Sequence, residues 1–269
     1  MFPSRADLDN SKQLGEIWDL MEDRKWRTLF ELRELLDNRY IETSISARLR
    51  DLRKNKYGGH TVLRRLRKRT RRTYEYKVIP RIPGMSIVIN IRGCNGSGKS
   101  TAVARLMKKL GVAKTLKDKK GKVWAYKLKS KPPTYVLGRY ETACGGCDTM
   151  KTLDQVCARV WHLQRFGNVI FEGVIISTVG QRWVDLAHDC QAQFIFAILD
   201  TPLKKCIHRV YKRREEKGTA GTFKESLVKD KYKVVHKNSR RILEKGGMDV
   251  RLLPHKKPVG TLLKWLHLS

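Results

Sequence analysis

The segment that most constrains this chain is "IRGCNGSGKST", Ile91 to Thr101. An apolar run of strand type, "SIVIN" at 86–90, leads into it, and "KSTAVARLMKKL" follows with helical spacing. Gly93, Gly98, Lys99 and Ser100 occupy the fixed positions of G-x-x-x-x-G-K-[ST]. Strand, glycine loop and helix in that order form a P-loop context. The glycines let backbone N–H groups converge on phosphate oxygens at a helix N-terminus. The pattern places Lys99 on β- and γ-phosphates and Ser100 on Mg²⁺. The expected nucleotide-binding residues are Gly93, Asn95, Gly96, Ser97, Gly98, Lys99, Ser100 and Thr101.

A P-loop alone does not separate kinases from other nucleotide hydrolases. "NVIFEG", ending at Gly173, is a second apolar strand that closes on a carboxylate, Glu172. That acid stands where a Walker-B residue holds the Mg²⁺ shell, against the plainer reading of a strand-end glutamate. "FIFAILD" (194–200) and "VRLL" (250–253) supply a third and a fourth strand. Strands alternating with helices imply an α/β fold, a P-loop kinase-type doubly wound parallel sheet. No N-K-x-D guanine motif stands in the right place, which leaves ATP as donor by default. "DTPLKKCIHRVYKRREEKG" sets Arg209 and Arg213 four residues apart on one helical face, with Arg214 beside them. This helix, in a lid at about 209–222, resembles the arginine-bearing lid of small P-loop kinases. Its guanidinium groups would neutralise a moving phosphoryl group. The alternative is a solvated basic helix.

"YVLGRYETACGGCDTM", Tyr135 to Met150, falls between the first two of these strands, a region that resembles the one handling the acceptor in nucleotide kinases. Gly138, Gly145 and Gly146 permit close backbone approach. Asp148 is placed either to accept a hydroxyl proton or to N-cap the helix "TMKTLDQVCARVWHLQRF". Cys144 and Cys147 form one C-x-x-C, half of a zinc site without its partner pair, and read as buried thiols. Cys94 reads as a solvent-near thiol at a helix N-terminus. Residues 114–131 hold eight lysines and one aspartate. This basic hairpin suggests an acceptor with its own phosphate backbone. Its aromatics, Trp124 and Tyr126, are either core or base-stacking groups.

Charge then organises the chain. It has 58 basic and 26 acidic residues, a net +32, which points to a polyanion and to nucleic acid before membrane. Residues 1–42 hold 7 basic against 10 acidic side chains, and residues 43–85 hold 14 against 2. No apolar run spans a membrane, no signal peptide is evident, and the six cysteines suit a reducing cytoplasm. Across residues 1–80 the periodicity gives three short helices and a basic hairpin, a small α+β module of winged helix-turn-helix layout. Thr43 and Ser44 are expected caps of the third helix. Its "TSISARLRDLRK", followed by "YGG" and a wing, resembles winged-helix modules of phage proteins. The DNA-contacting candidates are Arg48, Arg50, Arg53, Lys54, Arg64, Arg65, Arg67, Arg69, Arg71 and Arg72, against the alternative of a solvated face. "IPRIPGM" makes 81–85 a linker, and 86–269 is the second domain.

"RGCNGSGKST", "LGRYETACGGCDT", "FEGVIIS" and "LDTPLKKCIHRV", in this order, resemble the P-loop kinases of phages that hypermodify thymidine, the 5-hydroxymethyluracil DNA kinases. The resemblance covers about residues 86–255. It implies an ATP-dependent kinase that phosphorylates an alcohol, the base's hydroxymethyl group, within DNA. It also implies Lys99 and Ser100 on phosphate and Mg²⁺, Glu172 as the Walker-B acid and Asp148 near the acceptor. Three other readings stay open: a deoxynucleoside monophosphate kinase acting on free nucleotides, a DNA-binding regulator that senses ATP, and a kinase of nucleic-acid 5′-hydroxyl ends.

Overall fold

A computed structural model of the chain describes residues 12–54, 57–68, 70–80, 85–141, 145–190, 192–244 and 247–268. Arg69, Cys144 and residues 81–84 of the expected linker lie outside them. The chain divides into two compact units, Met1–Met85 and Ser86–Ser269.

The first unit holds α1 (Lys12–Met21), α2 (Leu29–Leu35) and α3 (Glu42–Asp51), with strands β1 (Arg27–Thr28), β2 (Thr61–Leu66) and β3 (Tyr74–Ile79). The strands form an antiparallel sheet in the order β1-β3-β2. Leu14, Ile17, Trp18 and Met21 recur every three or four residues, so α1 presents one apolar stripe. That stripe packs with Leu32, Leu36, Ile45, Leu49 and Leu52 from the other two helices and the turns that follow them. Thr28 starts α2 with a capping box. Its hydroxyl accepts from Glu31 N–H, and the Glu31 carboxylate accepts from Thr28 N–H. Thr43 and Ser44 do not cap α3. The extended residue before the helix is Ile41, and Ser44 Oγ instead donates to Gln13 Oε1 on α1.

The second unit is a mixed α/β layer structure around a seven-stranded sheet. In chain order the strands are β4 (Ile87–Arg92), β5 (Val112–Lys117), β6 (Val123–Leu128), β7 (Thr134–Leu137), β8 (Asn168–Glu172), β9 (Gln193–Asp200) and β10 (Asp249–Pro254). Their spatial order is β10-β9-β4-β8-β7-β6-β5. The first five in that order run parallel, and β6 and β5 extend the sheet antiparallel. β4 is buried along its whole length, as its apolar run requires for a central strand covered on both faces. Ile87, Ile89 and Ile91 enter one core, with α4 (Lys99–Leu110) and α10 (Pro258–Leu266). Val88 enters the other, with α5 (Leu153–Leu163) and α7 (Gln181–Asp189). The remaining helices are α6 (Val174–Thr178), α8 (Leu203–Glu215) and α9 (Glu225–Glu244). β5 and β7 were not expected as sheet strands. β5 is exposed almost throughout, so it shows no apolar alternation, and β7 is only four residues long. Among the described residues, no helix is long and apolar enough to cross a membrane.

Candidate functional site

Because β10, β9, β4 and β8 are parallel, the loops at their C-terminal ends open on one side of the second unit. A cavity of about 600 Å³ lies there, lined by Asn95 to Thr101, Asp148, Glu172, Val174, Ile175, Arg209 and Arg213, among others. The loop after β4 is shaped by its glycines. Gly96 has φ +74°, and a Cβ there would stand 2.2 Å from the Cys206 carbonyl oxygen of α8. The loop is therefore seated directly on α8. Ser97 Oγ donates to the Cys94 carbonyl, and Thr201 Oγ1 donates to the Ser97 carbonyl. Lys99 is buried, and its Nζ donates to the carbonyls of Gly93 (2.8 Å) and Cys94 (3.2 Å).

Glu172 ends β8 beside this loop and is 1% exposed. Its Oε1 accepts from Ser100 Oγ (2.9 Å) and from the Tyr140 hydroxyl (3.3 Å). Burial pushes its carboxyl above the ordinary range, while the nearby Lys99 charge pulls it down. Gly146 has φ +83°, and a Cβ there would stand 2.2 Å from Glu172 Oε1. Only glycine lets the backbone at position 146 lie against that carboxylate. Gly146 N–H in turn donates to the Arg139 carbonyl at 2.7 Å, closing the segment on itself.

Asp148 is exposed at the cavity and does not cap the helix that follows it. Thr152 caps α5, and the Asp148 carboxylate accepts from Val174 N–H (2.8 Å) and Ile175 N–H (3.2 Å), the start of α6. Arg209 donates to the carbonyls of Gly96 and Ser97, and Arg213 lines the cavity beyond it. Arg214 turns away and donates to Thr222. Cys94 is not solvent-near. It is 2% exposed and packs with Cys206, Val210 and Val228, because α8 covers that side of the loop. Cys147 is buried in the core, and among the described residues no group of three or more His, Cys, Asp or Glu side chains is arranged to hold a metal.

Several contributors were not foreseen. Arg92, at the end of β4, is wholly buried and donates to the Ser177 (2.6 Å) and Val179 (2.9 Å) carbonyls. Burial holds its guanidinium down at about 10. Ser177 Oγ accepts from Gly93 N–H, so α6 and the glycine loop are fastened together. Tyr140 and Lys231 are the others, the first on Glu172 and the second at the cavity. An arginine closing an apolar strand was the one signal available for Arg92.

In the first unit, the expected DNA-contacting side chains divide. Arg48 and Lys54 both pair with Asp51, and Arg67 pairs with Glu31. Arg53 donates to the Val62 carbonyl, and Arg65 pairs with the buried Glu75 while lying over the Trp26 ring. Arg53 and Arg65 thus hold the unit together. A carboxylate as enclosed as Glu75 requires a cation. Arg64 stacks over Tyr74, and Arg50, Arg71 and Arg72 are exposed.

Over residues 75–247 the chain matches a kinase family, described as 5-hmdU DNA kinase. It is similar to the 5-hmdU DNA kinase of Pseudomonas phage PaMx11, at 36% identity over 156 residues, covering 52% of this chain and 82% of that protein. It is also similar to the 5-hmdU DNA kinase of Pseudomonas phage M6, at 30% identity over 172 residues (59% of this chain, 86% of that protein). A third relative is 5-hmdU DNA kinase 1 of Salmonella phage ViI, at 28% identity over 172 residues (59% and 72%). The chain belongs to the 5-hmdU DNA kinase family.

Proposed function

We propose that this protein transfers the γ-phosphoryl group of ATP to the hydroxymethyl oxygen of 5-hydroxymethyluracil in DNA. The family supports the acceptor. The observation that carries the site is the position of Glu172: Ser100 of the glycine loop and Gly146 of the acceptor segment meet on one carboxylate. Donor and acceptor machinery therefore share a residue.

The glycine loop acts as a P-loop, cradling the phosphates with first-turn N–H groups of α4 that lack intrahelical partners. Lys99 leaves the Gly93 and Cys94 carbonyls for the β- and γ-phosphates. Ser100 and Glu172 fit Mg²⁺: a hydroxyl and a carboxylate oxygen 2.9 Å apart are hard donors, suited to an ion that keeps several waters. The ion would be held by these two side chains and would supply charge neutralisation at the phosphates. Arg209 and Arg213 on α8 stabilise charge on the transferring group. The acceptor oxygen bonds to the γ-phosphorus, the bond to the β-phosphate oxygen breaks, and ADP leaves. The hydroxyl proton passes to Asp148, which α6 orients through two N–H groups. Glu172 is less suited to that task, being enclosed and engaged with Ser100 on the donor side.

The first unit is a winged helix-turn-helix module, with α3 as the groove helix and β2–β3 as the wing. Arg50, Arg64, Arg71 and Arg72 are its DNA contacts, and 81–85 links it to the kinase domain at 86–269. The 5-substituent already lies in the major groove, so access asks for local distortion or flipping at most.

The test supplies labelled ATP with plain DNA, 5-hydroxymethyluracil DNA, free hydroxymethyl-deoxyuridine monophosphate and thymidylate. Label is expected in the modified DNA alone. Label confined to the free nucleotides overturns the reading in favour of a nucleotide kinase, and label released only as phosphate favours an ATP-sensing regulator. Asp148→Asn should lower turnover by about a hundredfold with the KM for ATP kept. Wild-type turnover in that variant removes Asp148 as the base.

A further inference from the structure

The family match begins at residue 75 and takes in the whole of β5 and β6 but little of the first unit. A kinase family acting on DNA must hold a polyanion within the span its members share. In this chain the β5–β6 hairpin has the features of such a grip. Seven of its eight lysines in 114–131 are exposed, and among the described residues none of the eight forms an ion pair. The one aspartate there is otherwise engaged: Asp118 Oδ1 accepts from the backbone N–H groups of Lys120 and Lys122, shaping the turn. One aspartate therefore faces eight lysines and forms an ion pair with none of them.

Lysines on an edge strand also serve to block pairing with another chain. That purpose explains Lys114 and Lys117, which lie on β5, the sheet's edge. It does not explain Lys119, Lys120 and Lys122 in the turn, or Lys129 and Lys131 beyond β6. The hairpin is also wired to the site. Tyr126 of β6 donates to Glu141 Oε1 at 2.5 Å and accepts from Tyr140 N–H at 3.4 Å. Tyr140 donates to Glu172. The aromatics are not stacking platforms for bases: Tyr126 is buried, and Trp124 packs on the core with Arg159 over its ring. What the hairpin offers outward is charge, which suits phosphates and not bases.

We propose that the β5–β6 hairpin grips the DNA backbone beside the acceptor pyrimidine, giving the kinase unit a hold on DNA of its own. This rests on the reading of the protein as a DNA base kinase. Each phosphate neutralised by a lysine adds about 0.9 to the slope of log affinity against log salt. The full-length K119Q/K120Q/K122Q variant should therefore lose about 3 from that slope on a short 5-hydroxymethyluracil duplex. Its KM for DNA should rise about tenfold or more at moderate salt, with the KM for ATP kept. The corresponding triple arginine variant should retain the wild-type slope. K129Q/K131Q, beyond the other end of β6, should lose about 2 independently. A wild-type slope and DNA KM in both glutamine variants overturn the proposal. If the wild-type protein phosphorylates no modified DNA, the functional reading fails instead, and the slopes on plain duplex still decide whether the hairpin binds backbone.

Discussion

The hairpin β2–β3 ties up much of its own charge, whereas β5–β6 leaves its charge free. In the first unit Arg65 neutralises the buried Glu75 and Arg67 reaches Glu31. In the second, eight lysines face a single aspartate whose carboxylate is bound to its own turn. Both segments look alike as strings of basic residues. The difference is whether the fold supplies each cation with a partner. A partnered cation stabilises the protein, and a free one is available to a ligand. The same division recurs on α8, where Arg213 lines the cavity and Arg214 is bound to Thr222.

The α8 pair is the sharpest place to break that comparison. Arg213→Ala should lower kcat by about 10²- to 10³-fold, the loss seen when one donor to a charged transition state is removed. Arg214→Ala should leave kcat within about twofold of wild type, since Arg214 is bonded to Thr222 and turned from the cavity. Equal losses in steady-state assays would erase the distinction between free and partnered arginines.

A smaller effect separates the hairpins themselves. Arg65→Ala leaves Glu75 enclosed without its cation and should weaken the first unit by about 3 kcal/mol. Hydrogen exchange at the β2–β3 amides reads that change. Lys119→Gln in the exposed turn of the other hairpin should shift local stability by under about 0.5 kcal/mol.

The smallest effect on stability concerns Glu172, the carboxylate that Ser100 and Gly146 both approach. Glu172 titrates above its ordinary 4.5 because it is buried. Folding therefore takes up a proton between pH 4.5 and the raised folded value, and the stability this gives is lost as pH rises through that window. Glu172→Gln keeps an acceptor for Ser100 and Tyr140 without the charge. It should unfold at a higher temperature than wild type near neutral pH, with the gap closing on acidification. A lower melting temperature at neutral pH would mean that the charged carboxylate stabilises the fold.

How far the sequence disclosed this site depends on how local each part is. The strand–glycine loop–helix order was legible because its residue types all fall within a short stretch of the chain. Glu172 was legible because an apolar strand ending in an acid is a local pattern. The helix that Asp148 caps was not, because its partners Val174 and Ile175 lie 26 and 27 residues away. Burial of Cys94 depends on α8, more than a hundred residues later, folding over the loop. Arg92 stayed hidden for the same reason, since the carbonyls it serves belong to α6 and the turn after it. The basic hairpin over 114–131 was legible, but its place in the main sheet was not, because a sheet edge exposed on both faces needs no apolar alternation.

The central claim is that phosphoryl transfer ends on the base's hydroxymethyl oxygen within DNA. Digesting 5-hydroxymethyluracil DNA to nucleosides after incubation with the protein, ATP and Mg²⁺ tests it directly by mass spectrometry. The account predicts that hydroxymethyl-deoxyuridine gains one phosphoryl group at its 5-substituent, and that Lys99→Ala abolishes the gain. Unmodified hydroxymethyl-deoxyuridine recovered alongside ADP, or phosphate found on strand 5′ ends alone, would contradict it.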